Sequence, residues 1–307
     1  MEDDAYHCFY CGSRELALAY GQKFHQRKQD HGPFDLYVCR TCGSALTLPV
    51  PSPVVLAEFY RSFEFGLSKS TRMLLSDDPA GAWHQTCVRR LVELSGRSRD
   101  AVFTWVDVGA GGGEIARLLG EHFPSSRGVA IDIHDRPPSL ADGPANVEWR
   151  RVDIARDSFA ADLTAKGDVV FAIGVWEHVR RPDIFAHNML SLLNPGGLLY
   201  METPNYGSLA RRLFGQYWPY FLPGEHLCMP TPRGARLCLL RELGKLDGQG
   251  YSAAVATRPI LIRYSVRFAL AKLSMPRLAK AVPSALYAHV PSGAMEAVVR
   301  LNADSCR

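Results

Sequence analysis

Two spacings in the chain are suited to chemistry. The first is Cys8-Phe9-Tyr10-Cys11-Gly12, matched by Cys39-Arg40-Thr41-Cys42-Gly43. Each Cys-x-x-Cys knuckle lets two thiolates reach one ion, and the following glycine permits the tight turn. Together Cys8, Cys11, Cys39 and Cys42 offer a closed tetrahedral set with no open position, which is a structural site and suits Zn2+. The remaining cysteines, Cys87, Cys228, Cys238 and Cys306, lack metal spacing. His7, His25 and His31 read as solvated loop histidines beside the ribbon.

The second spacing is Asp107-Val108-Gly109-Ala110-Gly111-Gly112-Gly113. It follows an apolar, β-rich run, Ala101 to Val106, and opens an amphipathic stretch from Glu114 to about Glu121. A strand, a glycine-dense turn and a helix bring backbone against a nucleotide-like ligand. A side chain at Gly109 or Gly111 would hold that ligand away or forbid a positive φ.

Composition sets the frame. The 307 residues are enough for about two domains. A hydrophobic fraction of 47% and a charged fraction of 21% are those of an ordinary globular protein. A net charge of +4 does not by itself imply nucleic acid. The N-terminus, Met1-Glu2-Asp3-Asp4, lacks a basic-then-apolar signal pattern. No apolar run approaches the ~20 residues that span a bilayer. The expectation is a cytoplasmic protein, and paired cysteines in a reduced compartment favour metal over disulfides.

The elements that must position these residues follow in order. Two strand-like runs, Glu15 to Tyr20 and Phe34 to Val38, lie between the knuckles. Pro49-Val50-Pro51-Ser52-Pro53 is a stiff linker. Val54 to Tyr60 reads as a short helix, and Phe59, Tyr60, Phe63 and Phe65 as core packing. Asp78-Pro79 starts a helix that runs to about Ser95 and buries Cys87. Strands are expected at 102–108, 128–133, 147–151, 168–174 and 198–202, alternating with helices. That pattern implies a parallel sheet covered on both faces, with ligands beyond the carboxyl ends of its strands. Asp107, Asp132, Asp153, Trp176 and Asn205 collect at that edge. Later strands at 251–256 and 294–301 would pair antiparallel at the sheet edge. Between them, residues 258–292 carry six Lys or Arg and no Asp or Glu, and Ile260 to Leu273 has a helical pattern. The organisation expected is a ribbon at 1–50, a linker and helical cap at 51–100, a ligand-binding core at 101–257, and a basic helical insertion with a final strand at 258–307.

Asp107-x-Gly109-x-Gly111-x-Gly113, Asp132, Asp153, Glu177-His178-Val179 and Asn194-Pro195-Gly196-Gly197 together resemble class I S-adenosylmethionine-dependent methyltransferases. With the ribbon ahead of them, they are similar to bacterial sugar and secondary-metabolite methyltransferases. The resemblance implies an α/β fold: a Rossmann-like seven-stranded sheet with helices on both faces, preceded by a small zinc ribbon. It implies S-adenosyl-L-methionine as cosubstrate. Gly109, Gly111 and Gly113 would line its methionine portion, with Asp107 near the ammonium. Asp132 would accept the ribose hydroxyls, Asp153 would receive the adenine amino group, Ile154 would pack on the ring, and Ala172 would offer backbone to the amine. His226 is the candidate base. Ribbon-bearing sugar C-methyltransferases carry a Glu-His pair there with a Tyr three residues before the His. This chain has Glu225-His226 but Pro223, with Tyr217 and Tyr220 nearby. His178, at the start of a helix in its motif, reads as structural.

The reading is methyl transfer to a small-molecule acceptor, as O-methylation of a sugar, glycoconjugate or secondary metabolite. C- or N-methylation of a nucleotide-linked sugar is the alternative, and a phosphorylated acceptor would suit the basic segment. A nucleic-acid methyltransferase is disfavoured, because Gly174-Val175-Trp176-Glu177 replaces the Asn/Asp-Pro-Pro-aromatic motif of base-amino methylators. A non-catalytic zinc-ribbon scaffold is disfavoured by the intact glycines and Asp132. The 258–280 stretch offers peripheral contact with an anionic membrane, or a solvated face.

Overall fold

The computed structural model describes residues 6–21, 34–56, 82–154, 158–163, 166–215, 218, 220–221, 225–246, 253–265, 281 and 287–301. His25, His31, the Phe59 to Phe65 aromatics, Asp78-Pro79, Tyr217, Pro223 and residues 266–280 lie outside them.

The chain builds two sheets. Strands β4 (Thr104–Val108), β5 (Arg127–Asp132), β6 (Val147–Arg151), β7 (Gly167–Ile173) and β8 (Leu193–Pro204) are parallel, and β10 (Ala253–Ser265) and β11 (Tyr287–Leu301) add an antiparallel edge. The order is β10-β11-β8-β7-β4-β5-β6. This is the seven-stranded Rossmann-like sheet that the resemblance implies, with the parallel core that the alternating pattern predicts. β4 is apolar enough to be buried on both faces: Trp105, Val106 and Val108 are sealed from solvent. The strand order reverses between β4 and β7, which opens a crevice at their carboxyl ends. The Asp107 turn leaves β4 there.

Helices α1 (Ala82–Ser95), α2 (Glu114–His122), α3 (Pro182–Ser191) and α5 (Pro232–Leu246) cover the sheet, and a short α4 (Leu209–Phe214) follows β8. α1 packs Cys87 and Leu91 against Trp105, Phe171 and Tyr200. Cys87 is thus the core residue its helical spacing predicts. Asn194 to Gly197 does not sit outside β8: it forms the irregular start of that strand, with Gly196 at φ 74.

One stretch departs from its sequence pattern. Ile260 to Ser265, expected in a helix, belongs to β10 and pairs with β11 as far as Ser265↔Tyr287. Three consecutive aliphatic residues, Ile260-Leu261-Ile262, satisfy either period locally, and a long partner strand settles the choice.

The edge strand also buries charge. Glu296 of β11 lies opposite Glu202 of β8. The Arg90 guanidinium of α1 grips Glu296 with two bonds, at 2.8 and 2.6 Å. Burial lifts Glu202 to about 7, with its contact from the Tyr200 hydroxyl working the other way. Replacing Arg90 with Met strands one carboxylate against another. Because Arg90 is partly exposed, the expected loss is about 2 kcal/mol rather than the ~3–5 of a sealed pair. Denaturant titrations should show the loss at neutral pH and a smaller one at pH 5, where protonation relieves the carboxyl pair.

The second sheet has the order β1-β2-β3-β9: β1 (Leu16–Tyr20), β2 (Asp35–Cys39), β3 (Ala45–Leu48) and β9 (Cys228–Met229). Its first three strands are the ribbon. Its fourth comes from the far end of the chain, pairing Ala45↔Met229 and Leu46↔Cys228. Cys8, Phe9, Tyr10, Leu46 and Leu48 share one apolar cluster with Val106, Trp176 and Leu239. Among the described residues no helix is long and apolar enough to cross a membrane.

Candidate functional site

The turn after β4 is pinned from below. Gly109 and Ala110 both donate backbone N–H to the Ile131 carbonyl, at 2.9 and 3.0 Å. Gly109 has φ 76, and a Cβ there would meet Val175 Cγ2 at 2.5 Å. Gly113 has φ 77 and opens α2, where a Cβ would meet Leu140 at 2.9 Å. Only glycine fits either position, and the turn packs closely, with Gly109 to Gly111 half-buried and Gly112 and Gly113 buried.

Two carboxylates flank it. Asp107 is buried, and its Oδ2 has no hydrogen-bond partner. Burial first, and then the charge of Asp132, hold its carboxyl well above the usual range. Asp132 ends β5. Its Oδ2 accepts the Gly111 N–H at 2.9 Å. Its Oδ1 accepts the His134 N–H at 3.1 Å and lies 2.7 Å from His134 Nδ1. That bond raises the His134 pKa, partly opposed by burial. Sequence reading passed over His134, although a histidine two residues after a strand-end Asp is placed to close such a turn.

Ile154 is half-buried and reaches the same turn: its Cδ1 is 3.4 Å from the Cβ position at Gly109. Asp153 is exposed beside it, beyond the end of β6. Ala172 is buried on β7, one residue past the last register pair with β4, Asp107↔Phe171. Gly109, Gly111, Gly113, Asp107, Asp132, Ile154 and Ala172 are thereby brought together at the switch point.

A second polar group stands beyond β7 and β8. Glu177, His178 and His226 place one ligand atom each within 4.8 Å of one another. The Glu177 carboxylate accepts the Thr203 hydroxyl at 2.9 Å, and burial pushes Glu177 up to about 8. His178 Nδ1 lies 3.0 Å from the Glu225 carbonyl, and His226 Nδ1 lies 2.7 Å from the Tyr220 carbonyl. A carbonyl only accepts, so each Nδ1 carries the proton and each Nε2 keeps a lone pair. The two rings meet edge to face, 4.8 Å apart. Burial drives His178 down to about 4, and burial with the neighbouring His178 lowers His226 too. Both imidazoles are neutral at pH 7. His178, read as structural from its motif, stands against the candidate base. Glu177 and His178 are neighbours in sequence, but His226 meets them only through the fold.

The four knuckle thiols converge as their spacing predicts. Cys8 and Cys42 sulfurs are 3.6 Å apart, Cys11 and Cys39 3.5 Å, and all four fall within 4.8 Å. This donor set fits one thiophilic ion.

A family model described as a methyltransferase domain matches residues 80–242, more than half of the chain. The chain belongs to the methyltransferase-domain family. Among curated relatives it is 30% identical over 141 residues to a trans-aconitate 2-methyltransferase of Azoarcus sp. strain BH72, covering 44% of this chain and 54% of that one. It is 30% identical over 106 residues to a ubiquinone biosynthesis O-methyltransferase of Leptothrix cholodnii, covering 33% and 43%. The chain spans about half the length of these relatives. Among solved structures it is similar to the plantazolicin methyltransferase BamL, determined with a triazolic desmethylPZN analog and S-adenosylhomocysteine. The TM-score is 0.53 at 13% identity, covering 81% of this chain and 97% of that one, which shows the fold. The 80–242 domain is an S-adenosylmethionine-dependent methyltransferase domain, and the switch-point cradle fits that cosubstrate. Its glycines leave no room for side chains, and the buried Asp107 oxygen awaits a donor.

Proposed function

We propose that the protein transfers a methyl group from S-adenosylmethionine to a hydroxyl of a small acceptor, of the sugar, glycoconjugate or secondary-metabolite class. The observation that carries this reading is His226: a neutral imidazole whose Nδ1 proton is held by the Tyr220 carbonyl, which leaves Nε2 as its basic nitrogen beside His178 and Glu177. Bound S-adenosylmethionine supplies a methyl already activated on a sulfonium. The chain then has to align the acceptor, where proximity contributes ~7–11 kcal/mol, and take its proton.

In this reading the turn from Gly109 to Gly113 receives the methionine portion, and Ala172 offers backbone to the amine. Asp107 faces the ammonium, Asp132 the ribose, Asp153 the adenine amino group, and Ile154 the ring. His226 Nε2 accepts the acceptor proton as the oxygen–methyl bond forms and the sulfur–methyl bond breaks, the bonding pair staying on sulfur in the departing S-adenosylhomocysteine. Glu177 and Thr203 hold the wall beside it, and Zn2+ closes the four-thiolate site of Cys8, Cys11, Cys39 and Cys42 as a structural ion.

Two binding predictions follow. Asp132→Asn keeps the shape but loses the charge and one acceptor face, so S-adenosylhomocysteine affinity should fall by ~10–100-fold, about one or two charged hydrogen bonds. Titration calorimetry that finds wild-type affinity removes Asp132 from the cosubstrate site. Asp107 gives the second. Its carboxyl is protonated above the ordinary carboxylate range when the site is free. An arriving ammonium favours the ionised form, so binding releases a proton and strengthens as pH rises through that raised pKa. Calorimetry in buffers of different ionisation enthalpy reads the release, and no proton exchange would count against the role.

The reaction class is tested by incubating the zinc-replete protein with methyl-labelled S-adenosylmethionine and fractionated bacterial extract. Label should enter a small molecule and survive mild alkali, as an ether does and an ester does not. Label found only in nucleic acid, or in nothing, sinks the proposal.

A further inference from the structure

The ribbon does more than sit on the domain. Its third strand grips the segment that carries the candidate base. The Thr47 N–H donates to the Leu227 carbonyl at 2.7 Å, and the Thr47 hydroxyl donates to the His226 carbonyl at 3.3 Å. The Tyr10 hydroxyl donates to the Cys228 carbonyl at 3.2 Å, and Tyr10 stacks edge to face on Trp176. The Cys42–Ser44 corner holds the next turn: the Thr231 hydroxyl donates to the Cys42 carbonyl at 2.6 Å, and the Thr231 N–H donates to Ser44 Oγ at 3.1 Å. Gly234 fits the same corner so closely that a Cβ would lie 2.0 Å from Ser44 Oγ. From the opposite side, the Leu227 N–H donates to the Glu177 carbonyl at 2.7 Å. The backbone from His226 to Thr231 is therefore held between the ribbon and the wall after β7. A ring placed one Cα–Cβ bond from a clamped carbonyl has little freedom left, and the Tyr220 carbonyl sets its tilt.

We propose that the ribbon is a working part of the acceptor side of the site, with Thr47 as the positioning residue that aims the His226 imidazole. This rests on the reading of His226 as the base, and it assigns the ribbon a task on one half of the site only. The cosubstrate cradle hangs from β4 and β5, and its hydrogen bonds run to Ile131, Asp132 and Ala110, none of them in the ribbon.

The test uses the full-length, zinc-replete protein with Thr47→Val, Thr47→Ser and Tyr10→Phe. Val keeps the shape and the backbone N–H but removes the hydroxyl, while Ser restores it. The readouts are the imidazole 1H–15N signals of His226, assigned with His226→Asn, and S-adenosylhomocysteine affinity by calorimetry. In Thr47→Val the His226 signals should move, and its pKa should climb toward the ordinary histidine value as the ring loosens in its buried seat among His178, Glu177 and Tyr220. Tyr10→Phe should produce a smaller shift in the same direction, and Thr47→Ser should return the wild-type spectrum. S-adenosylhomocysteine affinity should stay within about two-fold, since distant sites without shared partners are independent to that degree. His226 signals unchanged in Thr47→Val, or an affinity loss as large in Thr47→Val as in Asp132→Asn, would overturn the proposal. If His226→Asn retains full methyl transfer, the base reading fails, while the spectra still decide whether Thr47 aims the ring.

Discussion

Replacing His226 with Asn is expected to slow methyl transfer by ~10²–10⁴-fold, the range of a positioned general base. The amide is smaller than the imidazole but keeps a donor near the Nδ1 position that can still reach the Tyr220 carbonyl, so the loop should keep its course. What is lost is the lone pair on Nε2. Affinity for S-adenosylhomocysteine should be unchanged, because the cradle lies on other strands. The wild-type rate should fall at low pH, with a midpoint below the ordinary histidine value. His226 is pushed down by burial and by His178. Its free-base form therefore persists into mildly acidic solution and is lost as pH falls through that lowered pKa. The same depression contributes to stability in the opposite sense. A histidine buried neutral costs free energy only when it must stay uncharged below its unfolded pKa, so the fold should weaken on the acid side. A His226→Asn enzyme with the wild-type rate and pH profile would remove the base from the mechanism and leave proximity as the source of catalysis. Because Nε2 of His178 also faces this cluster, 3.9 Å from a Glu177 carboxylate oxygen, His178→Asn is the necessary companion variant, with a smaller loss expected.

Withdrawing the ion from the thiolate site should have the largest effect on stability. Structural zinc contributes ~10–16 kcal/mol of apparent binding free energy in peptides that fold only around it. Here the ribbon leans on a larger body through β9 and the shared apolar cluster, so part of its structure should outlast the ion. With ~5 kcal/mol lost, the melting temperature falls by ~10–15 °C. Stripping the protein with a strong chelator and returning one equivalent of Zn2+ should lower and then restore the melting temperature. Cys42→Ser should behave as the stripped protein does. Elemental analysis that finds no thiolate-bound metal in a protein with the full melting temperature would refute the structural ion.

Much of the fold was legible. β6 falls where its pattern places it, and β4, β5 and β7 shift by a residue or two at their ends. Each is a short apolar run bounded by a turn residue, so the signal is local. The antiparallel pair at the edge was legible in kind but not in length. The sequence pattern puts strands at 251–256 and 294–301, whereas β10 continues to Ser265 and β11 begins at Tyr287. β9 escaped altogether. Two residues, Cys228 and Met229, have no period of their own and become a strand only because β3 lies beside them. The Asp132–His134 contact and the Glu202–Glu296 pair also went unseen, the second because it joins β8 to a strand at the end of the chain.

The division has a physical reason. Where a function needs groups within a few residues of one another, spacing alone specifies it. Two Cys-x-x-Cys knuckles are a ligand set wherever they fold, and three alternating glycines after a strand are a cradle. These the sequence determined by itself, together with the class of reaction that the cradle serves. The groups proposed for the acceptor side are Thr47 of β3, Glu177 and His178 after β7, Thr203 of β8 and His226 before β9. Apart from the adjacent Glu177 and His178, their spacings do not show that they meet, because the bonds that join them span long stretches of chain: Thr47 to His226, His178 to Glu225 and Thr203 to Glu177. Only the tertiary structure decided that the two histidines face each other, and that the hand holding one of them belongs to the ribbon.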